Sequence, residues 1–432
     1  MKILLTGDIH VGRASSSVPN DDITPFLAAS AWGRIVDVAI AENVTAILVS
    51  GDMVEQSNRY FEARGPIEAG LARLTEMGIR TVAVSGNHDF SVLPQLADEF
   101  AARGLAFELL GRNGVWSNTR IEAAGESLSV VGWSFPRSDV REDPVANFPA
   151  QSLGESAVIG VVHGDLGVTS SKYAPLQESV LTNVPVDGWL LGHIHAPKLR
   201  AAAGAPWILY PGSPQALDPG EAGVHGVWII SVSGRTVTAP ELIPLSSVRY
   251  ERHSVTVSGC TDQSSIRTAI DRSLQALVDG AQNAGGEYLT NLVVDLDVHG
   301  ETQAATYVQE TLDEIKEFAA SGSIDVHVRS SSNSTAMPID LDALTGGKGL
   351  AGLLARVIVD LEAGRMDGPE SQLLMRRVLP LRDSIRLQST VTHGDMERPA
   401  TLDENFFQAE ALKAARTLLA TIAEPKSQCG NP

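Results

Sequence analysis

From residue 1 to about 245, short apolar runs rich in β-branched residues alternate with longer stretches of helical periodicity. "KILLTGD", "TAILVSGD", "TVAVSGNHD", "SLSVVGWS", "AVIGVVHGD", "GWLLGHIH", "WILYPGSP" and "GVWIISVSG" read as strands, and 24–42, 62–77 and 92–103 as helices. Runs that are apolar throughout, rather than every second residue, predict sheets buried on both faces. Each polar cluster follows the C-terminal end of a strand, where α/β sheets place their ligand sites.

From about 248 the pattern changes. "YERHSVTV", a helix over 262–281, "TNLVVDLDV", a helix over 302–320 and "IDVHVRS" predict a small β-α-β-α-β unit. "SSSNSTAMP" reads as a linker. Beyond it 349–363, 369–390 and 403–422 have helical periodicity, with Pro380 breaking or kinking the second. The expected division is 1–245, 246–335 and 336–432, without an internal repeat.

A chain of 432 residues is too long for one core, in keeping with that division. The formal charge of −19 is evenly spread, with 16 basic against 26 acidic residues up to 245 and 17 against 26 after it. An acidic surface offers little of the phosphate attraction that non-specific nucleic-acid binders use. Arg376, Arg377, Arg382 and Arg386 form a local reversal of that balance. Cys260 and Cys429 form no disulfide framework, and no apolar stretch approaches the roughly 18–20 residues a membrane span needs. A cytoplasmic location is expected, since the "ILL" after Lys2 is too short for a signal peptide.

Five strand-end clusters carry the chemistry: "GDIH" (Asp8, His10), "GDMVE" (Asp52), "GNHD" (Asn87, His88, Asp89), "VVHGD" (His163) and "GHIH" (His193, His195). Setting His88 and Asp89 aside leaves seven nitrogen and oxygen donors, too many for one four-coordinate ion. They suit two divalent ions sharing a carboxylate, most naturally Asp52. Imidazole with carboxylate favours Mn²⁺, with Fe²⁺ or Zn²⁺ also fitting, over an all-oxygen Mg²⁺ or Ca²⁺ cage. Such a pair generates hydroxide near neutral pH and clamps an in-line displacement at phosphorus, so no nucleophilic Ser or Cys is needed. His253, His299 and His327 lie in or beside strands of the second unit and read as structural, while His393 in "THGD" follows a helical stretch and reads as a decoy. His225, beside the last strand of the first unit, stays ambiguous.

In order and kind, the five clusters resemble the calcineurin-like metallophosphoesterase superfamily over residues 8–195. The resemblance implies an α/β fold, a four-layer α/β/β/α sandwich with a dinuclear centre. It also implies one metal on Asp8, His10, Asp52 and His195 and the other on Asp52, Asn87, His163 and His193. His88 would then be the free histidine that protonates the leaving oxygen or steadies the phosphate, with Asp89 orienting its ring.

"SNRYFEARGPIEAGLARL", "YPGSPQALDPGEAG" and the small unit after them are similar to SbcD-type DNA repair exonucleases. That likeness implies a small α+β cap domain over the active site and a helical C-terminal segment docking on an SMC-like ATPase subunit. It makes Arg376, Arg377, Arg382 and Arg386 candidates for partner or DNA contact, and Glu55 and Arg59 candidates for substrate positioning. "GDMVE" departs from the branch, whose nucleases carry a histidine where Glu55 stands. A carboxylate there would repel a phosphodiester unless protonated or turned away.

The function expected is a dimetal phosphodiesterase acting on DNA as a 3′-to-5′ exonuclease or endonuclease subunit, through attack by a hydroxide between the metals. A homodimer is compatible with it. Two readings compete: a phosphatase or phosphodiesterase for small nucleotides, which the acidic total favours, and a catalytically idle scaffold that binds a partner.

Overall fold

The computed structural model describes residues 1–19, 21–56, 59–150, 156–315, 324–338 and 340–365, with 411–412, 414–416, 418–419 and 422. The helix expected over 369–390, Pro380, the four arginines 376, 377, 382 and 386, and His393 lie outside these residues.

Two sheets form the core of the first part. One sets β1 (Lys2–Thr6), β2 (Ala46–Val49), β3 (Arg80–Ala83) and β4 (Phe107–Leu109) in parallel. Three helices, α1 (Ala28–Ala41), α2 (Tyr60–Glu76) and α3 (Leu93–Ala102), link them. The antiparallel β11 (Gly226–Ser233) lies on the other side of β1, followed by β12 (Thr236–Val237) and β13 (Glu241–Pro244), both paired to β11. The second sheet contains β5 (Ser117–Ala123), β6 (Glu126–Trp133), β7 (Ala157–His163), β8 (Gly188–Gly192), β9 (Lys198–Arg200) and β10 (Trp207–Tyr210), in the order β5-β6-β7-β8-β10-β9.

The apolar runs explain the layering, because successive side chains of a strand face opposite ways. Leu4, Ile47 and Val49 pack with Trp32, Ile35, Leu71 and Phe100 of the helices. Ile3, Leu5 and Leu48, on the other face, meet Val130, Ile159, Val161 and Leu190 of the second sheet. Val131, Val162 and Trp189 cover that sheet's far side with Val145 and with Leu181 of α4 (Glu178–Leu181). The outermost helical layer is thin, but the α/β/β/α order stands as expected. No helix among the described residues is long and apolar enough to cross a membrane.

The chain divides into two compact units: Met1–Ser254 with Asp271–Asp297 and Asp313–Ser331, and Val255–Ile270 with Val298–Leu312 and Ser332–Pro432. A third sheet orders β14 (Val248–Thr256), β15 (Asn291–Glu301) and β16 (Asp325–Ala336), with α5 (Gln263–Ala284) and α6 (Val308–Glu314) in the connections. The linker reading of "SSSNSTAMP" needs correction, since β16 continues through it to Ala336. Most of this stretch is exposed, so Ser, Thr and Asn can occupy a strand without the apolar alternation that would announce one. The second unit also holds α7 (Leu341–Thr345), capped by the Asp340 carboxylate on Ala343 N, and α8 (Leu350–Glu362), whose Leu354 and Ile358 pack with Leu419.

Candidate metal centre

The five clusters converge at the strand ends of the two facing sheets. Asp8 and His10 follow β1, Asp52 follows β2, Asn87 to Asp89 follow β3, His163 ends β7, and His193 and His195 follow β8. Asp8, His10, Asp52, Asp89 and His163 are almost completely buried. Asp8 (φ 48°), His10 (φ 52°), Asp52 (φ 49°) and His193 (φ 98°) adopt left-handed backbone that a side chain usually avoids, at a cost of roughly 1–3 kcal/mol each. Strain gathered on four of the seven donors marks a place where geometry is held for function. A Cβ at Gly86 would stand 2.2 Å from Asp52 Oδ1, and one at Gly192 2.5 Å from His163 Nδ1, so only glycine lets the chain pass this close.

The donors form two poles around Asp52. At one, His10 Nε2 and His195 Nε2 stand 3.0 Å apart, with Asp52 Oδ2 4.0 Å from His10 Nε2. At the other, Asn87 Oδ1 lies 3.0 Å from His163 Nε2 and 3.2 Å from His193 Nδ1, and Asp52 Oδ2 is 3.3 Å from His163 Nε2. Asp8 accepts the His193 amide at 3.0 Å, and Asp52 Oδ1 accepts that of His88 at 3.0 Å. Asp8, His10 and His195, and likewise Asp8, Asp52 and His163, lie close enough together to hold a metal ion.

The outer face of each ring tests whether a cation fits. His163 gives its Nδ1–H to the Ser50 carbonyl at 3.0 Å, so its Nε2 lone pair points at two oxygens. That arrangement is repulsive unless a proton or a metal stands between them. His195 Nδ1 donates to Glu221 Oε1 at 2.6 Å, His10 Nδ1 is 2.8 Å from Glu55 Oε2, and His193 Nε2 is 3.4 Å from Asp165 Oδ1. Each imidazole thus has an oxygen behind it, hydrogen-bonded for His163 and His195 and in ion-pair contact for His10 and His193. Each turns its other nitrogen inward, the usual setting of a metal-binding histidine. The donor set fits a pair of divalent cations.

Electrostatics agrees. Burial raises Asp8 above the usual carboxylate range. Burial acts the same way on Asp52, but His163 and His10 outweigh it and hold that carboxyl well below the range. Burial would lower His163 and His195, yet Asp52 lifts the first to about 9 and Glu221 the second to about 9. Burial and the charge of His163 drop His193 to about 3. Protonated His163 and His195 would offset the buried carboxylates beside them.

Three of the expected residues stand elsewhere. Asp89 does not orient the His88 ring: its carboxylate accepts the amides of Gly86 at 2.8 Å and Met53 at 2.8 Å, which pins the loops after β2 and β3. The His88 ring is held by the Glu55 carbonyl, 2.7 Å from Nδ1. Glu55 turns its carboxylate toward His10 Nδ1 and toward Arg13 Nε at 3.8 Å. Arg59 pairs on the surface with Glu62 at 2.7 Å and does not join the donors. The ambiguous His225 is buried and sits behind the site, its Nδ1 2.8 Å from the Ser213 carbonyl. Sequence reading missed Asp165 and Glu221, although "VVHGD" and "PGEAG" display both.

Comparison with known proteins agrees with this geometry. Residues 1–197 match the calcineurin-like phosphoesterase family. The uncharacterized metallophosphoesterase YhaO of Bacillus subtilis is 25% identical over 247 residues, covering 56% of this chain and 59% of that protein. The DNA double-strand break repair protein Mre11 of Haloferax volcanii is 27% identical over 239 residues, 52% of this chain and 48% of that one. The SbcD component of nuclease SbcCD from Rhodobacter capsulatus is 25% identical over 292 residues, 57% and 69%. The chain thus spans about half the length of the first two relatives. Fold, converging donors and family match together make residues 1–197 a calcineurin-like metallophosphoesterase domain, one whose relatives include Mre11 and SbcD.

Proposed function

We propose that this metal-dependent phosphoesterase hydrolyses DNA phosphodiester bonds as a Mn²⁺-loaded nuclease subunit working with an SMC-like ATPase. The observation that carries the proposal is the convergence of seven donors, four of them imidazoles with an oxygen within 3.4 Å of the outward nitrogen. Asp8, His10, Asp52 and His195 would hold one cation, and Asp52, Asn87, His163 and His193 the other. Two bound cations supply hydroxide at neutral pH and absorb the charge developing on the phosphoryl oxygens.

The chain's own residues provide the rest. Asp52, between the poles, ties their spacing together. His88 gives Nδ1–H to the Glu55 carbonyl, which leaves Nε2 as the atom that, in the doubly protonated imidazolium, hands its proton to the departing 3′ oxygen. Glu55, paired to His10 and Arg13, removes the repulsion that the sequence placed against a phosphodiester. The Mre11 and SbcD relatives support DNA over a small nucleotide.

Labelled single- and double-stranded DNA, incubated with the protein, Mn²⁺ and an SMC-like ATPase partner, should be shortened from 3′ ends, and Asp52→Asn and His88→Ala should suppress it. Brisk hydrolysis of a small phosphodiester with DNA left intact would move the substrate to small nucleotides. Inertness toward both would leave the partner-binding scaffold.

A further inference from the structure

We infer that Glu55 and Glu221 act as a carboxylate clamp, positioning residues that aim the Nε2 atoms of His10 and His195 into one cation pole without touching substrate. The inference rests on the two-metal reading above and assigns work to two acidic residues outside its ligand set.

Glu221 is 5% exposed, and its contacts leave it no free face. Oε1 takes the His195 Nδ1–H at 2.6 Å, while Oε2 takes Ser213 Oγ–H at 2.7 Å and Leu217 N–H at 2.8 Å. A carboxylate buried this deeply costs stability unless it is paired, and here every partner serves to fix its direction. Glu55 meets the other ring, its Oε2 2.8 Å from His10 Nδ1. With His195 Nδ1 hydrogen-bonded to Glu221 and His10 Nδ1 in ion-pair contact with Glu55, the two Nε2 atoms face each other at 3.0 Å. A carboxylate behind an imidazole fixes its tautomer and raises its basicity as a ligand. Glu55 does one thing more: its main-chain carbonyl holds the His88 ring, so a single residue sets an imidazole on each side of it.

The test uses Mn²⁺ alone as probe, titrated calorimetrically into the metal-free full chain. Glu221→Gln and Glu55→Gln should each weaken Mn²⁺ binding by about tenfold or more. Glu42→Gln, an exposed carboxylate paired with Lys2, controls for loss of charge and should bind as wild type. At saturating Mn²⁺ both clamp variants should regain turnover of a small phosphodiester, with KM unchanged. Unaltered Mn²⁺ affinity in both, or a KM shift at unaltered affinity, would overturn the clamp. Should Glu221→Gln fail to fold, Glu55→Gln and Ser213→Ala, which removes one bond to Glu221, decide the matter alone. Wild-type protein that binds Mn²⁺ but spares DNA would refute the substrate reading while leaving the clamp standing; wild type that binds no Mn²⁺ would remove both.

Discussion

At one pole of the site, His10 and His195 have carboxylates, Glu55 and Glu221, behind their rings at 2.8 and 2.6 Å. At the other, His163 rests on the neutral Ser50 carbonyl at 3.0 Å, and His193 lies 3.4 Å from Asp165, which also accepts the Ser171 hydroxyl. Each pole has Asp52 and two imidazoles, but the first adds the Asp8 carboxylate where the second has the neutral Asn87 amide. The outer support differs in charge and closeness too. Since outer partners tune ligand basicity, the carboxylate-backed pole should bind its cation more tightly and fill first. Two metal positions that look alike as motifs thus need not be equal in affinity.

The largest expected effect removes the feature the poles share. Asp52→Asn should lower kcat/KM for any phosphodiester by about 10³-fold or more, because charge stabilisation at phosphorus depends on both cations. A titration of this variant should show both Mn²⁺ equivalents weakened. If only one weakens, Asp52 serves a single pole.

Next come the single-pole losses. His195→Ala and His163→Ala should each leave one Mn²⁺ equivalent bound, the weaker after His195→Ala and the tighter after His163→Ala. A reversed order, read from calorimetry, would undo the ranking of the poles.

Smaller still is the contrast between outer partners. Asp165→Asn should weaken Mn²⁺ binding by only a few-fold, against about tenfold or more for Glu221→Gln. Equal losses would show that distance and charge behind the ring do not set affinity here.

The mildest probe is pH. His163 and His195, both raised to about 9, carry protons in the metal-free protein at neutral pH, whereas His193, lowered to about 3, carries none. Cations must displace those protons, so Mn²⁺ affinity should rise as pH climbs toward about 9 and binding should release protons. Calorimetry in buffers of different ionisation enthalpy measures that release. An affinity independent of pH would contradict the assignment.

Much of this was readable in the sequence because strand-end chemistry is local. "GDIH", "GNHD" and "GHIH" each place a short apolar run and its donors within a few residues, and the sheets bring them together. What escaped depends on direction and distance. Glu221 is 26 residues from the histidine it supports, and nothing in "PGEAG" says which side of a ring it will occupy. Asp89 misled through adjacency: next to His88 in the chain, it turns instead toward amides of Gly86 and Met53. Sequence position likewise does not show that the Glu55 side chain bends back to His10. β16 was hidden by its own polarity, since a largely exposed strand needs no apolar alternation. The left-handed backbone at Asp8, His10 and Asp52 had only a faint signal in residue type, since Asp and His enter that region more often than other side chains but still seldom.

The most direct test of the account is the stoichiometry of Mn²⁺ bound by the metal-free full chain, measured by calorimetry with elemental analysis beside it. Two equivalents of unequal affinity, both weakened by Asp52→Asn, are expected. A single equivalent, or none, in wild-type protein would contradict it.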